Sequence, residues 1–448
     1  MRPLSAVLAV LWLAPLSSAR AEDQVFPCSL VMDPNDGPIS DPRLEHLIVS
    51  GVHVNVLLPP GYRAHGERRY PVLYLFHGAF GDEDSWTTQT DLIAYTASLP
   101  EGRQVIAVMP DGGHLPAGRD WVDGSNPQES FIIGTLIPFV ESHFRARAGR
   151  ASRGLAGFSG GGLDAMILAE RHPELFSAAG AFSGFLDPYS PDGIGIVQEF
   201  ASLDSQLCGA SYAWTSIWGD PVAHPMGWIG HDPIDLAGNL SSTAVYVSAG
   251  NGTPCAGDPD DPTLEGIEML VLGMAQEMDG ALSAAGVAHT MEYKSCGIHQ
   301  FGNSNADLRR FWPILFGAFG EEAPRQFDFA TGDAQSSAWD WTFTADPARA
   351  PELATISGAS RRGLQITGSG LETIRTAPLF ERGDRVCVSG SGAARAARAD
   401  STGRLSFSVD LGAPHSLEQG TPEELSAAAA PGYFTTRTIR FSSCEDDR

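Results

Sequence analysis

The chain has 448 residues, enough for two domains, and 54 acidic against 29 basic side chains give it a formal net charge of −25 at pH 7. So acidic a surface excludes nucleic acid and anionic membranes as general partners, because both repel it. Lys294 is the only lysine in a chain rich in Arg, Ala, Gly and Pro, which reflects GC-rich codons and says nothing of function.

Met1-Arg2, an apolar run from Leu4 to Leu16, and Ala19-Arg20-Ala21 make the three parts of a secretory signal peptide, residues 1–21, with cleavage expected after Ala21. The run is shorter than the roughly 20 residues that a spanning helix needs. The mature chain is therefore expected to be secreted, to the extracellular space or the cell envelope. Its six cysteines (28, 208, 255, 296, 387 and 444) then meet an oxidising setting suited to disulfides.

After the leader, Val52, Val54 and Val56 alternate with polar residues and predict a half-buried strand closed by Pro59-Pro60-Gly61. Val72–Phe76 predicts a buried strand, and His77-Gly78-Ala79-Phe80-Gly81 follows it, a segment that resembles one half of the oxyanion hole in esterases. Its backbone N–H donor is assigned to Ala79, with Phe80 as the alternative. A third strand is expected over Val105–Met109 and a helix over Ser130–Phe144.

Arg153–Phe158 then reads as a short buried strand and Gly162–Glu170 as a helix, with Gly157-Phe158-Ser159-Gly160-Gly161 at the turn between them. This is the G-x-S-x-G nucleophile elbow in its strand-turn-helix context, with Ser159 as nucleophile and the Gly160 N–H as second oxyanion donor. Further on, Ala244–Ser248 predicts another strand. The catalytic acid is expected after it, where Asp258, Asp260, Asp261, Glu265 and Glu268 all compete. The acidic run Gly257–Pro262 lacks the spacing of a calcium loop and reads as solvated.

A helix over Leu264–Ala285 and a strand over His289–Tyr293 lead to His299. Its place follows the chain order Ser, acid, His of the hydrolases, so it is the expected base. A last helix covers Asp307–Phe319. Strands and helices alternate throughout, as in a mostly parallel sheet covered on both faces.

The pattern changes at Glu321-Glu322-Ala323-Pro324. Beyond it, short alternating segments at 364–367, 385–388, 405–409 and 436–441, separated by Gly, Ser and Asp turns, predict a small β-sandwich. The expected domains are 22–320 and 325–448. Cys387 and Cys444 are the only cysteines in the second and are expected to pair; Cys255 and Cys296, which flank the acid region and the base, form a second expected pair.

Leu75-Phe76-His77-Gly78, the elbow, Ala181-Phe182-Ser183-Gly184-Phe185-Leu186, Trp218-Gly219-Asp220, Gly250-Asn251-Gly252-Thr253-Pro254 and Leu264-Glu265-Gly266 together resemble the esterase D superfamily, nearest its secreted antigen 85 mycolyltransferases. The resemblance covers roughly residues 40 to 318. It implies an α/β-hydrolase fold, acyl-ester chemistry without metal or organic cofactor, His299 as base, and the glutamate of the Leu-Glu-Gly segment, Glu265, as acid. Where the mycolyltransferases hold trehalose with an aspartate, an arginine and a tryptophan, this chain has His77, Phe80 and Phe301, which are the expected substrate-binding residues. That departure favours hydrolysis.

The expected function is thus a secreted serine esterase with a Ser-His-Glu triad and an acyl-enzyme intermediate, acting on a small-molecule, lipid or sugar ester. The alternatives are an acyltransferase working on cell-envelope sugars or lipids, and a catalytically silent binding protein on the same fold.

Overall fold

The structure is a computed structural model, and it describes residues 39–64, 66–390 and 395–444. The expected signal peptide and Cys28 lie outside the described residues.

Eight strands make the first sheet: β1 (Leu44–Val49), β2 (Val52–Leu57), β3 (Val72–Phe76), β4 (Ile106–Pro110), β5 (Arg153–Phe158), β6 (Ala178–Phe182), β7 (Ala244–Ala249) and β8 (His289–Tyr293). They lie in the order β1-β2-β4-β3-β5-β6-β7-β8. β1, β2 and β4 pair antiparallel, and from β4 onward every neighbour is parallel. β3, β5 and β6 are buried along their whole length, which is why each reads as an unbroken run of apolar and small residues. Helices on both faces bury two apolar cores against the sheet. This is the α/β-hydrolase arrangement, with β5 near the centre and its carboxyl end open to the site.

Strands form where they were expected at 52–56, 72–76 and 244–248, and the one expected at 105–109 moves by one residue. The helix expected over Ser130–Phe144 runs as Gln128–Phe131 and Ile137–His143 around a wide turn, Ile132–Leu136, because Pro138 has no N–H for the regular ladder. The helix Pro191–Cys208 was not foreseen, although Ser190 caps it through the Gly193 N–H and Pro191 occupies its first position.

Beyond Ala318 the architecture is all antiparallel. A four-stranded sheet holds β10 (Gln335–Ala338), β11 (Trp341–Thr344), β14 (Leu371–Arg375) and β17 (Ser406–Asp410). A six-stranded sheet holds β9 (Phe327–Thr331), β12 (Ala354–Ser360), β13 (Gly363–Gly368), β15 (Arg385–Ser389), β16 (Arg395–Arg398) and β18 (Thr435–Ser443). Trp341, Phe343 and Ile374 from the first meet Phe329, Ile366 and Ile439 from the second in one core, which makes a β-sandwich. Cys387 of β15 is bonded to Cys444 just past β18.

Candidate active site

The carboxyl ends of β3, β5, β6 and β7 converge on one spot, and the chain's local sterics decide what stands there. Ser159 follows β5 with φ 55° and ψ −119°, a strained conformation for a residue with a side chain. The strain persists because its neighbours are glycines: a Cβ on Gly157 would lie 2.1 Å from the Gly161 carbonyl oxygen. Backbone bonds from the Ser159 N–H to Phe182 (3.0 Å) and from the Phe185 N–H to the Ser159 carbonyl (3.1 Å) hold the turn to β6.

His299 Nε2 lies 2.9 Å from Ser159 Oγ, and its Nδ1 lies 2.8 Å from Glu268 Oε2. An ionised carboxylate only accepts, so Nδ1 carries the proton and Nε2 is left to accept from the serine hydroxyl. Glu268 is 1% exposed. Burial by itself raises its pKa, but the hydrogen bond and charge of His299, the Ser183 hydroxyl and the Gly250 N–H together outweigh burial and hold it below the ordinary glutamate value. Ser183 Oγ donates to Glu268 Oε1 at 2.7 Å. Ser183 itself has φ 45° at the end of β6, where its N–H bonds to Ser248 of β7.

Glu265, the acid expected from the family resemblance, does not reach His299. It sits half-buried in the first turn of the helix Pro262–Ala284, beside Asp260, and both partial burial and that neighbour raise its pKa. Glu268 lies three residues, about 4.5 Å of helix axis, further along and is buried. Asp258 is spent on the Cys255 N–H of its own loop at 2.9 Å and on Gln300 of the histidine loop at 2.6 Å, and it makes no bond to His299.

The histidine loop is laced to the loop after β7. Cys255 is bonded to Cys296, the Gly252 N–H donates to the Gly297 carbonyl at 3.0 Å, and the Gly297 N–H donates to the Thr253 carbonyl at 2.7 Å. The His299 N–H donates to Leu264 at 3.0 Å, which seats the loop on the first turn of the glutamate helix.

Gly160 begins the helix Gly160–Arg171, where an N–H has no intrahelical acceptor. Ala79 faces it: its nitrogen lies 3.6 Å from where a Gly160 Cβ would be. Gly78 brings this loop in, since a Cβ there would stand 3.2 Å from Ser159 Cβ and 3.1 Å from the Phe158 ring. The Phe80 N–H is already committed to the His114 carbonyl at 2.7 Å, so the alternative donor is ruled out by its own hydrogen bond.

The three expected substrate-binding residues are all buried away from the serine. His77 is 2% exposed, accepts from the Gly112 N–H at 2.8 Å through Nε2 and donates Nδ1–H to the Gly78 carbonyl at 2.7 Å; it braces the oxyanion loop. Phe301 packs edge-on against Trp86 and tilted against Phe158, which itself lies against the His299 ring. Phe80 supports Phe200 from behind, with ring centroids 5.7 Å apart.

Phe200 is itself part of an apolar pocket that opens at Ser159. Pro116, Val197, Phe200, Trp218, Leu270 and Val271 form its walls, so the helix Pro191–Cys208, the segment at Trp218 and the glutamate helix supply the surface that was expected from Phe80 and Phe301. Apolar spacing along Ile194, Val197, Phe200 and Ala201 was the available sequence signal for that helix face.

A protein-family model described as Esterase matches residues 48–310. The chain is 34% identical over 286 residues to Esterase Rv1288 of Mycobacterium tuberculosis, covering 60% of this chain and 58% of that protein, so it spans little more than half of that relative. It is 30% identical over 270 residues to the diacylglycerol acyltransferase/mycolyltransferase Ag85B of Mycobacterium intracellulare, over 56% of this chain and 76% of that one. Among solved structures, M. tuberculosis MPT51 superposes with a TM-score of 0.51 at 22% identity, over 62% of this chain and 100% of that one, a likeness of fold.

Proposed function

Because the chain belongs to the esterase family, with a mycolyltransferase among its relatives, we propose that it cleaves carboxylic esters through an acyl-enzyme on Ser159, with His299 as base and Glu268 as acid. The observation that carries this reading is the continuous line of hydrogen bonds from Glu268 through His299 to Ser159 Oγ, at the end where Ala79 and Gly160 face each other.

The geometry sets the steps. Ser159 Oγ attacks the ester carbonyl as His299 Nε2 takes its proton. The carbonyl oxygen becomes an oxyanion held by the N–H groups of Ala79 and Gly160. The imidazolium is stabilised by Glu268, and its Nε2 proton passes to the departing alkoxide as the C–O bond breaks. Water then enters, gives a proton to His299 and attacks the acyl carbon; collapse returns the proton to Ser159 and releases the acid. The apolar pocket takes the acyl chain.

Hydrolysis is favoured over transfer to a sugar because the residues replacing a trehalose-binding aspartate, arginine and tryptophan are buried behind the site rather than displayed in it. An acceptor must outcompete water at roughly 55 M, which takes oriented polar groups near the acyl-enzyme. The second reading, acyl transfer, is favoured by the apolar pocket and by the mycolyltransferase likeness. Quantifying free acid against acyl-trehalose from one labelled donor separates the two, with free acid expected to predominate. Labelling by a fluorophosphonate with mapping of the modified residue tests the nucleophile itself, and a site other than Ser159 would refute the mechanism.

We read the chain as two units, 22–320 and 325–448, since the cores against the first sheet and inside the sandwich draw on separate residues. Export is supported by the leader-like first 21 residues and by disulfides that persist in oxidising compartments. Among the described residues no helix is long and apolar enough to cross a membrane.

A further inference from the structure

One wall of the apolar pocket is braced from outside the esterase fold. Ile217 and Trp218 line the pocket, and the ring of Trp218 packs 4.9 Å from that of Trp228. Trp228 is fully buried, and its Nε1–H donates to the Gly219 carbonyl at 3.1 Å. It belongs to the short helix Met226–Ile229, whose seat is provided by the β-sandwich.

Glu418, in the loop between β17 and β18, accepts from the Met226 N–H at 3.0 Å, and its other oxygen lies 3.3 Å from His224 Nδ1. Two residues on, Gly420 (φ +89°) lets the loop come so close that a Cβ there would stand 2.8 Å from Ile229 Cδ1 and 3.0 Å from Pro225 Cβ. The loop is tied back to the sandwich, since the Gln419 side chain accepts from the Leu353 N–H at 2.7 Å and the Gln419 N–H donates to Pro351 at 3.0 Å.

We infer that Glu418 is a positioning residue through which the C-terminal β-sandwich sets the acyl-chain preference of the pocket beside Ser159. The contact series runs from Glu418 to Met226, Trp228, Trp218 and the pocket wall, and packed interiors transmit such constraints because they have few voids to absorb them. The pocket wall is far more sensitive than the reacting atoms, since nothing in this series touches the serine, histidine or oxyanion donors. The inference rests on the reading of that pocket as the acyl site.

The test compares Glu418→Ala, Glu418→Gln and wild type on p-nitrophenyl butyrate and decanoate. Glu418→Ala is expected to change the decanoate-to-butyrate ratio of kcat/KM by roughly two- to thirty-fold, the range for substitutions acting through a packed network, mainly through KM for the longer ester. The butyrate kcat should hold. Glu418→Gln keeps an acceptor for the Met226 N–H and should restore the wild-type ratio, which a loss of general stability would not do. In parallel, binding of a dansylated undecanoic acid to the Ser159→Ala protein, with and without Glu418→Ala, reads the pocket without turnover. A shifted probe affinity alongside an inactive wild type would remove the serine mechanism and leave the pocket coupling standing. An unchanged ester ratio and unchanged probe affinity in folded Glu418→Ala overturn the inference; should that variant not fold, the same two readings on Gly420→Ala, which presses on Ile229, decide it.

Discussion

Ser183 Oγ donates to one oxygen of Glu268 at 2.7 Å while the other oxygen of the same carboxylate lies 2.8 Å from His299. A residue from the end of β6 thus fixes the carboxylate that fixes the histidine, and the glutamate is held ionised in a buried place where an unpaired charge would be costly.

The first prediction concerns the two glutamates of one helix. Glu268→Gln is expected to lower kcat by roughly 10²- to 10⁴-fold, because the imidazolium loses its counter-charge and the ring its tautomer. Glu265→Gln should stay within about threefold, since its half-buried carboxyl makes no hydrogen bond to His299 or Ser159. Turnover of p-nitrophenyl butyrate by both variants, compared at matched thermal stability, checks this. A severe Glu265 variant would return the acid to that position.

Ser183→Ala bears on pH. The folded pKa of Glu268 lies below the ordinary glutamate value of about 4.5, so around that pH the unfolded chain binds more protons than the folded one. Stability from this group is therefore fully present above about pH 4.5 and is lost as pH falls through the folded value. Removing the Ser183 hydroxyl takes away one of the interactions that lower the pKa and is expected to cost about 1.5–3 kcal/mol at pH 7. The gap in Tm between variant and wild type should be widest at pH 7 and should narrow below pH 4.5. A gap that does not change with pH would show that the hydroxyl does not act through the ionised carboxylate.

Gly78→Ala tests the oxyanion loop. Its new methyl would meet Ser159 Cβ at 3.2 Å and Phe158 Cδ1 at 3.1 Å, contacts that displace the loop by a few tenths of an ångström. Loss of one aligned donor is worth roughly 10²–10³ in kcat. The expected result is a fall in kcat of about that size with KM nearly unchanged and fluorophosphonate labelling slowed in parallel. A drop confined to KM would place the loop in substrate binding instead.

The two disulfides should separate by function. Each closes a loop, of 41 residues for Cys255–Cys296 and 57 for Cys387–Cys444, worth about 4 kcal/mol in the chain-entropy model. Replacing the first pair by serine should lower both Tm and kcat, because it loosens the loop that carries His299. Replacing the second should destabilise the sandwich and leave butyrate hydrolysis within about twofold. Equal losses of kcat in both would show that the sandwich holds the catalytic centre and not only the pocket wall.

The sequence by itself determined those features whose physics is local. The elbow is legible because a sharp strand-to-helix turn demands glycine around Ser159, and the buried strands are legible because parallel strands covered on both faces leave unbroken apolar runs such as Val72–Phe76. The order of serine, acidic region and His299 along the chain was legible because it follows the hydrolase order Ser, acid, His. Tertiary structure alone decided which of Glu265 and Glu268 faces the histidine: they lie three residues apart on one helix, and the depth at which that helix docks against β7 and the histidine loop is not written in its own spacing. The same holds for His77, Phe80 and Phe301, whose positions in the chain matched a substrate site while their side chains turned into the core. It holds also for Ser183, which meets Glu268 across 85 residues, and for Glu418, which meets Met226 across 192. Such contacts form only when separate elements pack, because facing and depth are set by the volume that neighbouring side chains leave open.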